Sequence, residues 1–337
     1  MRTMIQRFSV ILVILVLVMF LAGCGGQLLS TEDPVPSEAS DNINGLQDTT
    51  APYGIRGTTI NATDLEIARR IGNVSVNKTV ETIITIIFCI FLFGFFILGI
   101  FDISKRKDPV LLLMFPGAVL CSLIEGTVGI IGHIFIFEGS ITVFTIAGRP
   151  IPLWAVLGYT LGFTMIPYMM YRIAKGGASV KRLMIWLGIG IVLNIILEGP
   201  LTAMGIYAYW GIQPLDLSSV IPFFGDFSLV WAVTNMAGAA VAGILIATVP
   251  GLFSGWRILR IVPAVPFVVL GWQFAIGWPF YTGINHNGLS QNPDAVIAAI
   301  GALATIALSF WAYYIIAKLA SNSKSVKENT LEIQKHF

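Results

Sequence analysis

Three ionisable residues lie inside long apolar stretches of this sequence, where a charge is costly. Glu125 and His133 lie in the stretch 109–137, and Glu198 lies in the stretch 183–206. A charge near the centre of a bilayer costs about 2.5–3.5 kcal/mol on insertion scales, so each of these residues needs a partner, a proton or a function. Two carboxyl groups that share a site of low polarity cannot both stay ionised, so one becomes a general acid and the other a general base. Glu125 and Glu198 are therefore the predicted catalytic pair.

The two glutamates have matching surroundings in the sequence. Counted from the predicted cytoplasmic start of each stretch, they lie about 16 and about 15 residues in, at nearly one depth. Small and polar residues recur at i+4 spacing around both glutamates, as Gly117, Cys121 and Gly129 in one stretch and Gly190, Asn194 and Thr202 in the other. Such rows allow close helix approach and face a bundle interior. We predict one polar cavity in the outer half of the bundle.

Further polar and aromatic residues are candidates for contact with a substrate in this cavity. They are Asn194, Asn235, Gln273, Tyr159, Trp231, Trp272 and His133. The amides would orient substrate oxygens, and aromatic faces would stabilise developing positive charge. Core packing explains the aromatic residues equally well, and packing is the preferred interpretation of His133, which lies off the helix face of Glu125.

The predicted chemistry requires no cofactor and no metal. One histidine and two separated acids do not form a metal-binding motif, and the sequence contains neither a Walker loop nor a GxGxxG turn. The three cysteines, Cys24, Cys89 and Cys121, have no CxxC spacing, so they predict neither a zinc site nor a disulfide framework.

Composition excludes a soluble enzyme. Of 337 residues, 56% are hydrophobic and 11% are charged, against about 45–50% and about 25% in an ordinary soluble domain. The solvent for most of this chain is therefore a bilayer. The formal net charge is only +2, which leaves no broad basic face and excludes nucleic acid as a principal partner.

The chain after the first 80 residues predicts an all-α, polytopic transmembrane helical bundle of seven helices. Seven apolar stretches are long enough to cross about 30 Å of hydrocarbon. They cover residues 81–101, 109–137, 151–172, 183–206, 228–250, 261–281 and 294–319. None alternates with period two, so a barrel is disfavoured. Pro263 and Pro266 are candidates for breaking one helix.

The N-terminal region divides into two parts. Residues 1–24 have the layout of a signal peptide, and their Leu-Ala-Gly-Cys ending is similar to a bacterial lipobox, which would make Cys24 a lipidation site. An uncleaved first transmembrane helix is the alternative. Residues 25–80 are polar and predict a linker without its own core, followed by the bundle at 81–320 and a tail at 321–337.

Basic residues predict the orientation. When the N-terminus is placed inside, 15 of the 20 Lys and Arg residues fall on the inner side, four lie in the linker, and Arg149 lies in an outer loop. This distribution satisfies the positive-inside rule. We therefore expect a multi-pass protein of the cell membrane with an extracytoplasmic linker and a cytoplasmic C-terminus.

Three segments resemble the avermectin spirocyclase (AveC-like) family of membrane proteins. They are Gly148-Arg-Pro-Ile-Pro-Leu-Trp-Ala-Val-Leu-Gly-Tyr159, Arg106-Lys-Asp-Pro109 followed by Ser122-Leu-Ile-Glu-Gly126, and Leu197-Glu-Gly-Pro200 leading to Gly205-Ile-Tyr-Ala-Tyr-Trp210. The resemblance covers about residues 81–320. It implies a cofactor-free, multi-pass enzyme of polyketide maturation that closes a dihydroxy-ketone into a spiroketal, with dehydration in some members.

The sequence therefore predicts a cofactor-independent cyclase or dehydratase acting on a lipophilic polyketide or isoprenoid, with membrane lipids as its other partners. Two alternatives from other classes stay open. One is a transporter or channel for a small lipophilic solute, in which the glutamates conduct ions or protons. The other is a non-catalytic assembly subunit, in which they only fix helix packing.

Overall fold

The computed structural model describes residues 75–146, 149–209, 211–218, 220–286 and 291–323. The predicted signal peptide 1–24 with Cys24, nearly all of the linker 25–80 and nearly all of the tail 321–337 lie outside the described residues. Within the described part, the predicted all-α bundle is confirmed.

Helices account for most of the described chain. They are α1 Lys78–Phe101, α2 Val110–Cys121, α3 Glu125–Ile131, α4 Leu153–Lys175, α5 Val180–Ala203, α6 Leu229–Thr248, α7 Ile261–Ile276, α8 Trp278–Ile284 and α9 Gln291–Asn322. A 3₁₀ turn, Ser122–Ile124, joins α2 to α3. Seven helical segments in the described residues are long and apolar enough to span a membrane, so the protein is a multi-pass membrane protein.

Short strands gather at one end of the bundle. Strand β1 (Ile134–Ile136) pairs antiparallel with β4 (Tyr207–Tyr209), and β2 (Thr142–Ile146) pairs antiparallel with β3 (Arg149–Pro152). We call this the strand end. The opposite end, where the turn 102–109 meets the C-terminus of α4, is called the basic end.

The predicted stretch 109–137 ends differently in the structure. The stretch 109–137 was predicted as one helix, but α3 ends at Ile131 and β1 follows. His133, with φ of 59°, adopts the left-handed conformation just after the helix, a common way for a helix to terminate.

The prediction that Pro263 and Pro266 break a helix was wrong. Helix α7 runs through both residues to Ile276. Pro263 lies in the first turn, where a backbone N–H has no helical partner, and Gly117 of α2 packs closely on the turn around Pro266. The chain breaks instead at Gly277, and α8 begins at Trp278.

The helices differ in how much of their surface faces other helices. In the membrane-spanning part of α6, 83% is buried inside the protein, against 17% for α1 and 22% for α5. Small residues allow the central position of α6, since a Cβ at Gly243 would lie 2.0 Å from the Pro167 carbonyl oxygen of α4. Helix α6 is therefore the centre of the bundle, and α5 lies at its surface.

Candidate functional site

A cavity of about 140 Å³ lies in the strand-end half of the bundle. Both predicted catalytic residues, Glu125 and Glu198, line it. The other predicted site residues on its wall are Asn194, Asn235, Gln273, Tyr159 and Trp231. A cavity of this size holds a group about as large as benzene.

Glu125 is buried at the start of α3 and contacts two side chains. The Tyr159 hydroxyl donates to Oε2 at 2.5 Å, and Arg149 Nη2 donates to Oε1 at 3.1 Å. The side chains of Arg149 and Glu125 are only 6% and 5% exposed. Glu125 is thus held by a buried ion pair and a short charge-assisted hydrogen bond.

Arg149 reaches Glu125 from β3 across a glycine. A Cβ at Gly129, one turn after Glu125, would lie 2.5 Å from Arg149 Cζ, so the guanidinium rests on a surface that only glycine provides. Burial lowers the pKa of Arg149, and the neighbouring Glu125 carboxylate opposes that shift. Sequence reasoning placed Arg149 in an outer loop and missed this contact.

Glu198 has a different set of partners. Asn194 Nδ2 donates to its Oε2 at 2.9 Å, and the Tyr207 hydroxyl donates to its Oε1 at 3.3 Å. Both groups are neutral, and within the described residues Glu198 forms no ion pair. Its side chain is half-buried, whereas that of Glu125 is buried.

Tyr207 is buried beside the cavity, with only 2% of its surface exposed. Its ring stacks on Trp154, with centroids 5.6 Å apart and planes at 17°, and meets Tyr209 edge-on. Burial raises the pKa of Tyr207, so its hydroxyl keeps its proton and remains a donor to Glu198. No local pattern identified this contact, because the pairing of β1 with β4 brings Tyr207 over the cavity.

Three further polar side chains, Tyr281, Gln273 and Asn235, form a hydrogen-bonded chain, and the last two line the cavity. The Tyr281 hydroxyl donates to Gln273 Oε1 at 2.9 Å, and Gln273 Nε2 donates to Asn235 Oδ1 at 2.6 Å. This chain orients the Asn235 amide and leaves its Nδ2 as a donor for a ligand.

Three residues that line the cavity each have a buried polar side-chain atom without a hydrogen-bond partner among the described residues. The three atoms are the indole nitrogens of Trp154 and Trp231 and the amide oxygen of Asn194. Trp154 is 7% exposed and Trp231 is 3% exposed. A buried donor or acceptor without a partner is costly, so two donors and an acceptor beside one cavity fit a ligand that carries oxygen.

Two predicted contact residues do not line the cavity. Trp272 packs against α6, because a Cβ added at Gly238 would lie 3.1 Å from the Trp272 Cβ atom. His133 lies in the turn between α3 and β1, with Nε2 3.1 Å from Asn285 Oδ1. The structure does not bring either of them to the two glutamates.

Searches of the described residues find no group of three His, Cys, Asp or Glu residues that would hold a metal ion. No known family model, curated protein or solved structure matches this chain.

Proposed function

We propose that this protein is a cofactor-independent membrane cyclase or dehydratase that uses general acid–base catalysis on a lipophilic polyketide or isoprenoid. The observation that carries this proposal is that two carboxyl groups with different partners line one cavity. Paired acids in unequal surroundings divide into a proton donor and a proton acceptor.

The partners assign the two roles. Arg149 supplies a positive charge 3.1 Å from Glu125, which favours a carboxylate, so Glu125 is the general base. Glu198 contacts a neutral amide and a neutral hydroxyl, and a carboxyl group inside a membrane bundle without a counter-charge is less costly when it holds its proton. Glu198 is therefore the general acid.

The proposed reaction converts a dihydroxy-ketone into a spiroketal and water. Glu198 protonates the ketone oxygen while one hydroxyl attacks the carbonyl carbon and gives its proton to Glu125. Glu125 then gives its new proton to the hemiketal hydroxyl, which leaves as water and forms an oxocarbenium ion. The second hydroxyl attacks this ion and gives its proton to Glu198, which restores both carboxyl groups to their starting states.

The resemblance to the spirocyclase family supports this reaction class, because each of the three resembling segments supplies cavity residues or their hydrogen-bond partners. Arg149 and Tyr159 belong to the first segment, Glu125 to the second, and Glu198 and Tyr207 to the third. We further propose that the protein lies in the cell membrane with the basic end cytoplasmic and the strand end outside, in accord with the positive-inside rule.

The test is turnover of dihydroxy-ketones by membranes that contain the wild type, Glu125→Gln or Glu198→Gln. We expect a loss of about 10²–10⁴-fold in each variant, the usual contribution of general acid–base groups. Glu138→Gln is the matched control, because Glu138 is exposed and does not line the cavity. Wild-type turnover by both cavity variants, at equal expression, would rule out the acid–base mechanism.

A transporter is the second candidate, and helix interruptions favour it. The 3₁₀ turn Ser122–Ile124 directly precedes Glu125, and α7 breaks four residues after Gln273. Broken helices beside a polar site are common in transporters. Proteoliposomes distinguish the two functions, because a transporter moves the ketone across the bilayer unchanged, whereas a cyclase returns spiroketal and water.

A further inference from the structure

We infer that the substrate enters the cavity sideways from the bilayer, through an opening between α4 and α5 at Gly162 and Leu197. The substrate class that fits is a long amphiphile whose oxygenated part lies in the cavity while its apolar remainder stays in lipid. This inference rests on the proposed function only for the reaction that follows binding.

The inward face of α5 changes along its length. In the half near the basic end, Leu183, Leu187 and Ile191 are at most 8% exposed. One and two turns after Ile191, the same face presents Asn194 and Glu198, which are only half-buried. Helix α5 therefore packs tightly near the basic end and stands away from the bundle beside the cavity.

The facing row of α4 is also incompletely covered. Gly158, Gly162 and Met165 follow one another at helical spacing, are half-buried and line the cavity. At Gly162, a Cβ would find no atom within 4 Å. Leu197 of α5 lines the same cavity and is 43% exposed on the outer surface, so the cavity reaches the lipid-facing side of the bundle here.

The two routes into the cavity along the helix axes are closed. Toward the basic end, a Cβ at Gly190 would lie 3.7 Å from side-chain atoms of both Ile166 and Met236, which shows that α5 meets α4 and α6 below the cavity. Toward the strand end, the buried rings of Trp154 and Tyr207 stack over it. Access from either end of the bundle is therefore blocked, which leaves a lateral path from the bilayer.

The volume and the wall chemistry define the substrate. About 140 Å³ admits one ring-sized portion of a molecule. The unpartnered indole nitrogens of Trp154 and Trp231 are donors, and the Asn194 amide oxygen is an acceptor. A hydroxylated ketone or ether end matches both kinds of group, and an attached apolar chain can leave through the lateral opening.

The opening can be filled without disturbing the fold. Gly162→Leu places a side chain in the empty space. Gly188→Leu is the matched control, because Gly188 also has no atom within 4 Å of its Cβ position, lies on a spanning helix and does not line the cavity. A second pair acts from the other wall: Leu197→Trp closes the opening, and Leu193→Trp alters a residue that is 37% exposed and lies off the cavity.

The probe is a long-chain ketone with a diazirine beside the carbonyl group, dissolved in phosphatidylcholine vesicles that contain the full-length protein. A long-chain alkane with the same diazirine reports labelling by bulk lipid contact. We expect the ketone to label cavity residues of α4 and α5 in the wild type. Labelling should fall about tenfold in Gly162→Leu and Leu197→Trp, since an overfilled site loses binding, and should persist in both controls.

Equal ketone labelling of the wild type and both filled variants would overturn the lateral opening, as would ketone labelling that does not exceed alkane labelling. The measurement is independent of chemistry. If labelling depends on Gly162 but no dihydroxy-ketone is converted, the opening stands and the catalytic proposal fails. If dihydroxy-ketones are converted equally by the wild type and Gly162→Leu, the reaction stands and the opening fails.

Discussion

Two carboxyl groups are buried at the basic end of the bundle, two others line the cavity toward the strand end, and the two pairs have different surroundings. At the basic end, Asp102 contacts Arg106 at 2.7 Å and Arg172 at 3.5 Å and accepts a hydrogen bond from Tyr168. At the strand end, Arg149 is the only cation paired with either glutamate among the described residues.

Asp108 repeats the basic-end arrangement. Its Oδ2 accepts from Lys175 at 2.9 Å and from the Tyr171 hydroxyl at 2.8 Å, and its Oδ1 accepts from the Val110 backbone N–H at 3.2 Å. Each buried aspartate therefore has a cation, a tyrosine and a fixed position at a helix junction. Of the two glutamates only Glu125 has a cation partner, and both line a cavity. This difference separates acids that stabilise the fold from acids placed for chemistry.

The largest expected effect on stability comes from removing the strand-end cation. Arg149→Met leaves Glu125 buried without its counter-charge, and breaking a buried pair from one side costs about 3–5 kcal/mol. The free energy of unfolding in detergent measures this. Adding Glu125→Gln to Arg149→Met removes the unpaired charge and should restore part of the loss. Equal stability of Arg149→Met and the wild type would mean that the ion pair does not form.

A smaller loss is expected at the basic end. Asp102→Asn frees two arginines, but their side chains are 47% and 34% exposed, so water solvates the released charges. We expect a loss of about 1–3 kcal/mol, the usual cost of weakening a buried hydrogen-bonded group. Turnover per folded molecule should stay at the wild-type level. A selective loss of turnover would show that the basic-end acids also serve the reaction.

The smallest effect concerns an acid of the strand-end loop. Burial and the nearby Asp216 raise the pKa of Asp226 above its ordinary value of 3.8. The folded chain therefore holds this proton more tightly than the unfolded chain does, and its contribution to stability falls as the pH rises above that value. Asp226→Asn should gain stability relative to the wild type between about pH 3 and about pH 7. A thermal unfolding series over that range measures the gain, and a constant difference would contradict the shift.

Local sequence patterns predicted the bundle and much of its polar interior. The costs of burying charge single out Glu125 and Glu198, and i+4 spacing places Asn194 one turn from Glu198, where it donates its hydrogen bond. These features depend on one helix at a time, and a helix with a known period can be interpreted without knowledge of its neighbours.

The missed residues reach the site through long-range pairing. Arg149 arrives by the β2–β3 hairpin and Tyr207 by the β1–β4 pairing, and neither pairing has a strong period over three to five residues. One signal was present: Arg149 is the lone basic residue in the short loops predicted to lie outside. Trp272 adjoins Gln273 in sequence, but adjacent residues of a helix lie about 100° apart around its axis and face different neighbours.

The residues just before α1 form backbone hydrogen bonds with the chain next to two of the strands at the strand end. The Val76 N–H donates to the Glu138 carbonyl at 2.9 Å, beside the loop between β1 and β2, and the Asn77 N–H donates to the Gly205 carbonyl at 3.0 Å, just before β4. A shortened chain for expression should therefore begin no later than Ser75. A chain that started at Lys78 would keep the seven spanning helices of the described residues but would lose the hydrogen bonds that hold the β1–β2 loop and the start of β4.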